Sequence, residues 1–332
     1  MSTILGNPIT LGGGGLELVA NVADGATVTA TLGSKTVTGV SSGGQARLKI
    51  PQEGKWRVSA TKGAQVSFPQ EIDVSVPATV DLLLPSQELN DTSWTAIKQV
   101  SDANMGANFW SVGDCKQITM NGKVSDGLTL TNYSAWVFII GFNHNAEREG
   151  NGIAFQGFKA TKNGTPVCLF DSSYNKVKTS GTWFNMNNAE TNAGGWQASL
   201  MRKNVMPLIK ASFPNDLQAV IKPSTIFTAP NTGNIALTST EDEVFLLAEY
   251  EVFGTHKYAS TQESNYLKQY AYYAAGNSKV KYRYNATSVA AYWWERSPHS
   301  DNSYSFCDVF SNGSANNNFA SSSYGVSPCF KV

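Results

Sequence analysis

Four cysteines are the first residues of this chain that could carry out chemistry. They are Cys115, Cys168, Cys307 and Cys329, and no two of them have the Cys-x-x-Cys spacing of a metal centre or a thiol–disulfide motif. We therefore expect buried or half-buried free thiols, with one disulfide as the alternative. Neither a metal ion nor a cofactor is predicted from these residues.

The second candidate is the run HNAERE at residues 144–149, which directly follows an apolar stretch. Imidazole, amide and carboxylate groups can ligate a metal ion or transfer protons. The sequence contains no second histidine or carboxylate cluster with a recognisable partner role, so we favour a structural polar turn over a site. No catalytic residue is predicted, and the protein is predicted not to be an enzyme.

Residues 299–324 have the composition of a binding surface. These 26 residues comprise Ser, Asn, Asp, Phe, Tyr and Ala, with single His, Cys, Val and Gly residues, and include no Lys, Arg, Glu, Gln or Trp. Tyrosine and phenylalanine supply rigid contact area, and short polar side chains supply adaptable hydrogen bonds, as in antibody paratopes. The flanking residues 292–298 and 326–332 are expected to form the core that holds this surface.

The composition of the whole chain excludes several classes of protein. Its 332 residues are 41% hydrophobic, and 25 basic side chains balance 25 acidic ones, so a basic nucleic-acid-binding stripe is not predicted. There is no apolar run of about 18 residues, so membrane insertion is not predicted either. The first residues lack the pattern of a signal peptide. A polar, Asn- and Ser-rich protein without such a signal fits release by cell lysis, as for virion components.

The chain divides into three predicted parts. Residues 1–15 end in four glycines and are predicted to be a flexible segment. Residues 16–86 alternate apolar and polar side chains between turn residues, which predicts a small β-sandwich. Its stretch GQARLKIPQEGKWRVSATKG resembles immunoglobulin-like or carboxypeptidase-regulatory-like modules, and without a candidate catalytic group it is expected to be an immunoglobulin-like spacer. Residues 87–332 mix short helices, buried strands and long loops, which predicts an α+β domain whose loops carry the function.

Elements early in the third part are predicted to support the binding surface. A short helix is predicted over residues 94–100 after the cap Ser93, and a hairpin is predicted at Asn121-Gly122. Residues 135–142 are continuously apolar, which predicts a fully buried central strand. Residues 153–158 and 166–170 are predicted to form further strands.

Later elements are less regular in sequence. Residues 196–206 are predicted to form a helix that Pro207 ends or kinks. Residues 244–253 are a second strongly buried segment, in which Glu249 and Glu251 alternate with apolar neighbours. A third helix is predicted over residues 264–275, with its end marked by Gly276-Asn277.

The C-terminal motifs resemble one protein family. The sequences WWERSP, SFCDVFSNGSANNNFASSSYGV and PCF, preceded by AWVFIIGFNHNAEREG and VFLLAEYEVFG, are similar to the C-type-lectin-like variable proteins of diversity-generating retroelements. The resemblance covers roughly residues 88–332 and is most specific from Tyr292 onward. It implies a C-type lectin-like domain whose final strands and loops form an exposed surface. In that family, adenine-directed reverse transcription rewrites the AAC codons of asparagines in the last part of the gene.

The residue types of the segment provide an independent check on this resemblance. Randomising both adenines of AAC yields NNC codons, which encode Asn, Ser, Tyr, Asp, His, Phe, Cys, Gly, Val and Ala but not Lys, Glu, Gln, Met or Trp. Every residue from 299 to 324 belongs to that set. A Ser- and Asn-rich low-complexity loop is the alternative explanation. Scattered single aromatic residues fit a merely solvated loop poorly, so we favour a diversified surface.

The resemblance assigns roles to individual residues. The positions predicted to face a ligand are His299, Asp301, Asn302, Tyr304, Ser305, Asp308, Phe310, Asn316, Asn317, Asn318, Phe319, Ser322 and Tyr324. A structural role is favoured for Ser300, Ser303, Phe306, Cys307, Val309, Ala315 and Ala320. The predicted fixed framework consists of Trp293, Trp294, Arg296 and Phe330, since a framework beneath a changing surface must not move.

The resemblance further implies a receptor-binding protein of a phage or prophage tail, located in the virion. Its ligand would be a bacterial surface protein or glycan, its neighbours other virion tail proteins, and its assembly a homotrimer whose avidity compensates for weak single sites.

Two alternative functions belong to other classes of protein. An oxidase similar to formylglycine-generating enzymes would need a reactive cysteine pair, for which Cys307 and Cys329 are the local candidates. A calcium-dependent carbohydrate-binding lectin would need a Glu-Pro-Asn or Gln-Pro-Asp motif, which this segment lacks.

Overall fold

The computed structural model describes residues 15–63 and 65–332. The flexible segment predicted for residues 1–15 lies outside the described residues except for Gly15. The chain forms two compact units, Met1–Gln87 and Glu88–Val332. The division falls one residue after the boundary predicted between residues 86 and 87.

The N-terminal unit is built of strands arranged in two sheets. The strands are β1 Leu16–Asn21, β2 Thr27–Leu32, β3 Lys35–Val40, β4 Gln45–Ile50, β5 Lys55–Lys62, β6 Gln65–Val66, β7 Gln70–Asp73 and β8 Ala78–Asp81. One sheet has the order β4-β1-β8, and the other has the order β3-β2-β5-β6 with β7 also paired to β5. The prediction of a small all-β sandwich is confirmed at this level.

The period of two in the sequence explains this sandwich. In β4 the exposed residues Gln45, Arg47 and Lys49 alternate with buried ones, among them Leu48, because successive side chains of a strand point to opposite faces. Trp56 on β5 is fully buried within the core of the same unit. The two sheets therefore close a hydrophobic core made entirely of residues from 16 to 84.

The C-terminal unit mixes helices and strands, which confirms the α+β prediction. Its strands are β9 Cys115–Ser125, β10 Leu128–Phe142, β11 Ile153–Lys159, β12 Val167–Cys168, β13 Ser224–Thr228, β14 Thr238–Asp242, β15 Lys281–Arg283, β16 Ala286–Ala291, β17 Trp293–Pro298, β18 Ser305–Val309, β19 Ala315–Phe319 and β20 Cys329–Lys331. Its helices are α1 Trp94–Asp102, α2 Gly106–Phe109, α3 Ala146–Glu149, α4 Gly195–Ala198, α5 Met206–Ser212, α6 Asn215–Gln218, α7 Glu249–Phe253, α8 Glu263–Tyr266 and α9 Ala271–Ala274, with a 3-10 turn at Leu89–Asp91 and a π-helical segment at Met201–Val205. Among the described residues, no helix is both long and apolar enough to cross a membrane.

The central sheet has the strand order β20-β11-β10-β9, and β10 is the buried inner strand predicted from the apolar run. Helix α1 packs on this sheet. The hydroxyl of Ser93 accepts a hydrogen bond from the N–H of Ala96 at 3.2 Å, which confirms the predicted cap. The ring of Trp94 lies edge-on to Phe155 of β11 and Phe330 of β20. The last strand of the chain is thereby fixed in the core.

The hairpin predicted at Asn121-Gly122 is wrong, because both residues lie inside β9 and Gly122 pairs with Leu130. The chain turns instead at Asp126-Gly127, between Ser125 and Leu128. A Cβ on Gly127 would lie 2.5 Å from the Ser172 hydroxyl oxygen, so the loop after β12 packs closely against this turn. Tertiary packing therefore selects one of two turn-forming dipeptides.

Two predicted helices differ from the structure. The helix predicted over residues 196–206 is divided into α4, the π-helical segment and the start of α5. Pro207 lies in the first turn of α5, where a backbone N–H is not required, so it does not end the helical region. The helix predicted over residues 264–275 is split into α8 and α9. The break occurs where the N–H of Tyr270 donates to the carbonyl of Glu251 at 3.0 Å instead of to its own helix.

The segment over residues 244–253 is buried as predicted, but its residues do not alternate between two faces. Phe245 forms an isolated bridge with Cys329, and the chain then enters α7. The carboxylate of Glu251 accepts the N–H of Ala248 at 2.9 Å and so caps its own helix. Glu249 and Glu251 are consequently both fully buried.

Candidate ligand-binding surface

The segment over residues 299–324 folds onto the three-stranded sheet β17-β18-β19. Strand β17 pairs with β18, with Trp293 opposite Val309 and Trp294 opposite Asp308. Strand β18 pairs with β19 in continuous register from Ser305–Phe319 to Val309–Ala315. The loop of residues 299–304 joins the first two strands, and residues 310–314 join the last two. The segment is therefore an ordered sheet with loops and not a solvated low-complexity coil.

The predicted framework residues are fully buried. They are Trp293, Trp294, Arg296 and Phe330. The indole N–H of Trp294 donates to the carbonyl of Phe184 at 2.8 Å, and that of Trp293 donates to the carbonyl of Lys279 at 2.9 Å. Buried indole groups with satisfied donors lock the position of β17. Their complete burial is compatible with the predicted framework role.

Arg296 joins β17 to two other elements. Its guanidinium binds both carboxylate oxygens of Glu251 at 2.6 and 2.7 Å. It also donates to the carbonyl of Leu246 at 2.8 Å and to that of Phe227 at 3.2 Å. A fully buried guanidinium is tolerable only when its donors are satisfied in this way. Arg296 therefore fixes β17 to α7 and β13 from inside the unit.

Nine side chains of the predicted set are exposed or half-buried. Tyr304 and Phe319 are 54% and 49% exposed, which is high for large hydrophobic side chains. Asp301 is exposed as well. The half-buried members of the predicted set are His299, Asn302, Phe310, Asn316, Asn317 and Asn318. These nine residues, from the two loops and from both sides of β19, are named the outer face because they are at least partly exposed.

Four residues predicted to face a ligand are buried instead. They are Ser305, Asp308, Ser322 and Tyr324. Ser305 and Asp308 belong to β18, the middle strand, which is covered on both sides along its whole length. Ser322 follows β19 in a stretch that is buried throughout to Val332. These four residues were predicted to face a ligand, but their side chains lie inside the unit and support the outer face instead.

Asp308 supports β19 from behind. Its Oδ1 accepts the side-chain amide of Asn316 at 2.9 Å, and its Oδ2 accepts the side-chain amide of Asn318. Burial raises the pKa of the Asp308 carboxyl to about 7, although the two amide hydrogen bonds lower it in part. One buried acid therefore orients two asparagines of the outer face.

Aromatic rings pack together beside Asn318. The ring of Tyr324 lies 5.3 Å from those of Tyr292 and Trp294, and Phe310 lies 4.6 Å from Tyr292. The Tyr324 hydroxyl is 3.1 Å from Oδ1 of Asn318 and 3.2 Å from Oδ1 of Asn175, and its single proton serves one acceptor at a time. Aromatic packing and amide contacts thus join the outer face to the framework.

Residues outside the segment hold its main chain. The N–H of Asn187 donates to the carbonyl of Ala320 at 2.9 Å, and the N–H of Asn175 donates to that of Ser323 at 2.7 Å. The side chain of Asn192 contacts backbone carbonyls of residues 299–305, which are the loop before β18 and the first residue of that strand. Such bonds do not depend on which side chains the segment carries. The sequence gives no sign of this role of Asn192, because a buried structural asparagine has no periodic signal.

Two residues of the HNAERE run, His144 and Glu149, lie in a buried cluster of charged side chains. His144, Glu149 and Glu251 bring ligand-type atoms within 4.8 Å of one another. Glu149 already binds Lys331 at 3.0 Å, and Glu251 binds the Arg296 guanidinium, so the two anions are neutralised. A divalent ion would leave two uncompensated positive charges in the core. We interpret this group as the structural turn favoured from the sequence, rather than as a metal centre.

His144 is neutral at physiological pH in this environment. Its imidazole stacks on the ring of Tyr270 at 3.6 Å, and burial lowers its pKa to about 4. The imidazole Nε2 has no hydrogen-bond partner. A buried imidazole that resists protonation is suited to packing, and it cannot serve as a general base near pH 7 without access to a substrate.

The four cysteines are free and buried, which confirms the first of the two alternatives weighed from the sequence. Burial raises the pKa of the Cys168 thiol to about 12 and raises those of Cys307 and Cys329 above their usual range as well. The thiolate is the nucleophilic form of cysteine, so buried thiols of this kind are inert.

Two clefts of about 590 and 460 Å³ are lined by residues outside the segment. The first lies along Arg202, Met206 and Glu241, and the second along Arg148, Tyr250 and Lys268. Neither contains a residue of the outer face.

Comparison with known proteins adds one finding. A family described as a domain of unknown function (DUF6273) matches residues 172–332, a little under half of the chain. The matched part includes the three-stranded sheet, the outer face and Asn192. No curated protein and no solved structure match this chain.

Proposed function

We propose that this protein is a binding protein whose outer face recognises a ligand through residues 299–324. The observation that carries the proposal is the separation of roles within one segment. The nine outward side chains are paratope-like, whereas the main chain is held by residues that lie outside the segment. This arrangement supports a surface whose side chains can change while its backbone stays in place.

We infer further that the C-terminal unit is a C-type lectin-like domain and that the N-terminal unit is an immunoglobulin-like spacer. The mixed α+β architecture and the all-β sandwich are compatible with this assignment. The residue set of the segment, which matches the NNC codons throughout, supports diversification by a retroelement. The inert cysteines give no support to the alternative oxidase, because that chemistry needs a reactive thiol.

The proposed biological setting is the tail of a phage or prophage. The ligand would be a bacterial surface protein or glycan, and the neighbours in the virion would be other tail proteins. A homotrimer would raise the apparent affinity of individually weak sites. The neutral net charge and the open, aromatic and amide-rich face are compatible with such a ligand.

The DNA that encodes residues 299–324 provides the first test. We expect a near-copy of it beside a reverse-transcriptase gene, with differences confined to adenines of the copy. Differences spread evenly over all four bases would contradict diversification, because the proposed mechanism rewrites adenines alone.

A binding measurement provides the second test. We expect the double substitution Tyr304→Ser and Phe319→Ser to abolish binding to whichever strain, in a panel of intact bacteria, the parent protein recognises. Both side chains are exposed, so thermal stability should be unchanged. Val76→Ser, which removes an exposed apolar side chain of the N-terminal unit, serves as the matched control and should bind normally. Undiminished binding by the double variant would refute the assignment of the outer face.

A further inference from the structure

We propose that Asn192 is a positioning residue that holds the loop of residues 299–305 in one conformation, whatever side chains that loop carries. Asn192 itself is almost fully buried and lies outside the segment of residues 299–324. The consequence for ligand binding rests on the proposed function, whereas the ordering of the loop does not.

The side-chain amide of Asn192 faces three backbone carbonyls of the loop. Its Nδ2 lies 2.9 Å from the carbonyl oxygen of Asn302, 3.0 Å from that of Ser305 and 3.2 Å from that of His299. A carboxamide nitrogen has two protons, so one of the three contacts shares a proton with another. The main-chain N–H of Asn192 donates to a fourth carbonyl, that of Ser303, at 2.8 Å. One residue thus contacts both ends and the middle of the loop.

The orientation of the amide is determined by its surroundings. The hydroxyl of Thr232 donates to Oδ1 of Asn192 at 3.0 Å. Rotating the amide by half a turn would place Oδ1 against three carbonyl oxygens, all of them acceptors. Only the nitrogen can therefore face the loop. An aspartate at this position would be nearly the same size but would present an acceptor to three acceptors.

The other contacts of the loop show why Asn192 matters. The N–H of Tyr304 donates to the side chain of Asn302 at 2.9 Å, and the N–H of Asp301 donates to Nδ1 of His299 at 3.0 Å. These two bonds depend on which side chains positions 299 and 302 carry. The bonds made by Asn192 end on carbonyl oxygens, which every residue type has. They are retained through any change of side chain in the loop.

A second backbone contact supports the same loop. The N–H of Ser300 donates to the carbonyl of Tyr258 at 2.7 Å. The buried carboxylate of Glu249 in turn accepts the N–H groups of Lys257 and Ala259 at 2.9 and 2.8 Å, which fixes the chain on both sides of Tyr258. The N–H of Gly233 also donates to the carbonyl of Ser300 at 2.7 Å. Both contacts reach the same residue of the loop, whereas Asn192 reaches four residues. A loop ordered before binding loses less conformational entropy when a ligand arrives.

The test is hydrogen–deuterium exchange of the whole protein without any ligand. In Asn192→Asp we expect the amides of residues 299–305 to exchange about tenfold faster, the effect of losing one or two hydrogen bonds. The matched control is Asn188→Ala, whose amide lies in the same Asn-rich loop but contacts Gly181 and Asn185 instead. It should leave residues 299–305 unchanged. Unchanged exchange there in Asn192→Asp would overturn the proposal.

Two further variants keep the proposal falsifiable. If Asn192→Asp exchanges faster throughout the C-terminal unit, Asn192→Ala decides, because it removes the amide donor without adding a charge to the buried site. Faster exchange confined to residues 299–305 would support the proposal, and no change there would overturn it. The triple variant Asp301→Ser, Asn302→Ser and Tyr304→Ser tests independence from side chains. Asn192→Asp must accelerate exchange equally in this background, and a lost effect would refute the inference even if ligand binding were established.

Discussion

Asp308 illustrates how much an individual residue depends on its burial. The carboxyl group has no access to solvent, yet its two oxygens organise Asn316 and Asn318 on the exposed strand. Transfer of an ionised carboxylate into such a place is unfavourable, so burial raises the pKa of this group to about 7. In the folded protein Asp308 therefore stays protonated at pH values at which the same carboxyl group is ionised in the unfolded chain.

This pKa predicts a pH dependence of stability. The folded pKa lies above the ordinary value of 3.8, so between pH 4 and 7 the native protein binds the proton more strongly than the unfolded chain. The contribution of Asp308 to the unfolding free energy therefore falls as the pH rises through this window and is constant above it. We expect Asp308→Asn to gain roughly 3 kcal/mol relative to the parent between pH 5 and 8 in urea denaturation.

The control for this measurement is Asp301→Asn, which removes an exposed carboxylate of the same segment. Its stability relative to the parent should not vary over that range. Glu263→Gln is the positive control, because burial also raises the pKa of Glu263 to about 7. Its stability relative to the parent should rise with pH, as expected for Asp308→Asn. Parallel pH profiles for the parent and Asp308→Asn would contradict the argument.

The buried ion pair between Arg296 and Glu251 leads to a second prediction. Arg296→Met leaves the Glu251 carboxylate in the core without its partner, and we expect a loss of about 3–5 kcal/mol in the free energy of unfolding. Arg296→Met combined with Glu251→Gln should recover part of this loss, since no buried charge remains. The exposed pair of Arg47 and Glu17 is the control, and Arg47→Met should cost less than about 1 kcal/mol. A small effect for Arg296→Met would show that water reaches the pair.

Among the secondary-structure elements, the sequence predicts those whose formation depends on neighbouring residues. Strand β10 and helix α1 follow from a continuous apolar run and from a capped 3.6-residue period. The turn of the β9–β10 hairpin does not, because Asn121-Gly122 and Asp126-Gly127 both favour turns. The choice between them depends on Ser172, which is 45 residues beyond Gly127 and packs against it. Long-range packing of this kind cannot be predicted from the residues next to the turn.

The candidate site shows the same division. Composition identified residues 299–324 as one surface, and nine of the thirteen predicted residues lie at least partly outward. Composition could not separate Phe319 from Asp308, because the codon set is the same for both. Their difference arises from strand order, since β18 is central and β19 lies at the edge of the sheet. The supporting residue Asn192 is distant in sequence and escaped prediction for that reason.

Strand order predicts how the segment tolerates substitution. On the edge strand β19, Asn317→Tyr and Phe319→Ser should change the free energy of unfolding by less than about 0.5 kcal/mol, because both side chains face outward. On the central strand β18, Phe306→Ser should cost about 3–5 kcal/mol, because Phe306 is fully buried. Urea denaturation of the three variants checks both values. Equal losses on the two strands would show that β19 is not an independent exposed element.

At the scale of the whole molecule, each unit closes a core of its own. The core of the N-terminal sandwich consists of residues between 16 and 84, and the C-terminal unit begins with the buried Leu89 and helix α1. The two units differ in size, and a larger domain buries a greater fraction of its surface on folding. The molecule therefore combines a small sandwich with a larger unit that contains the whole proposed binding surface.

The separation of cores predicts that each unit folds alone. A chain of residues 88–332 should unfold cooperatively with the same midpoint as the later transition of the full protein in calorimetry, and it should keep any binding to intact bacteria. Residues 15–87 should fold separately and melt at the lower temperature, because the smaller core supplies less stabilisation. A chain that begins at residue 51 is the control, since it keeps β5 but removes its partner β2 and half of the sandwich core. That chain should show only the later transition. Loss of cooperative unfolding in residues 88–332 would mean that the binding unit needs the sandwich for its own stability.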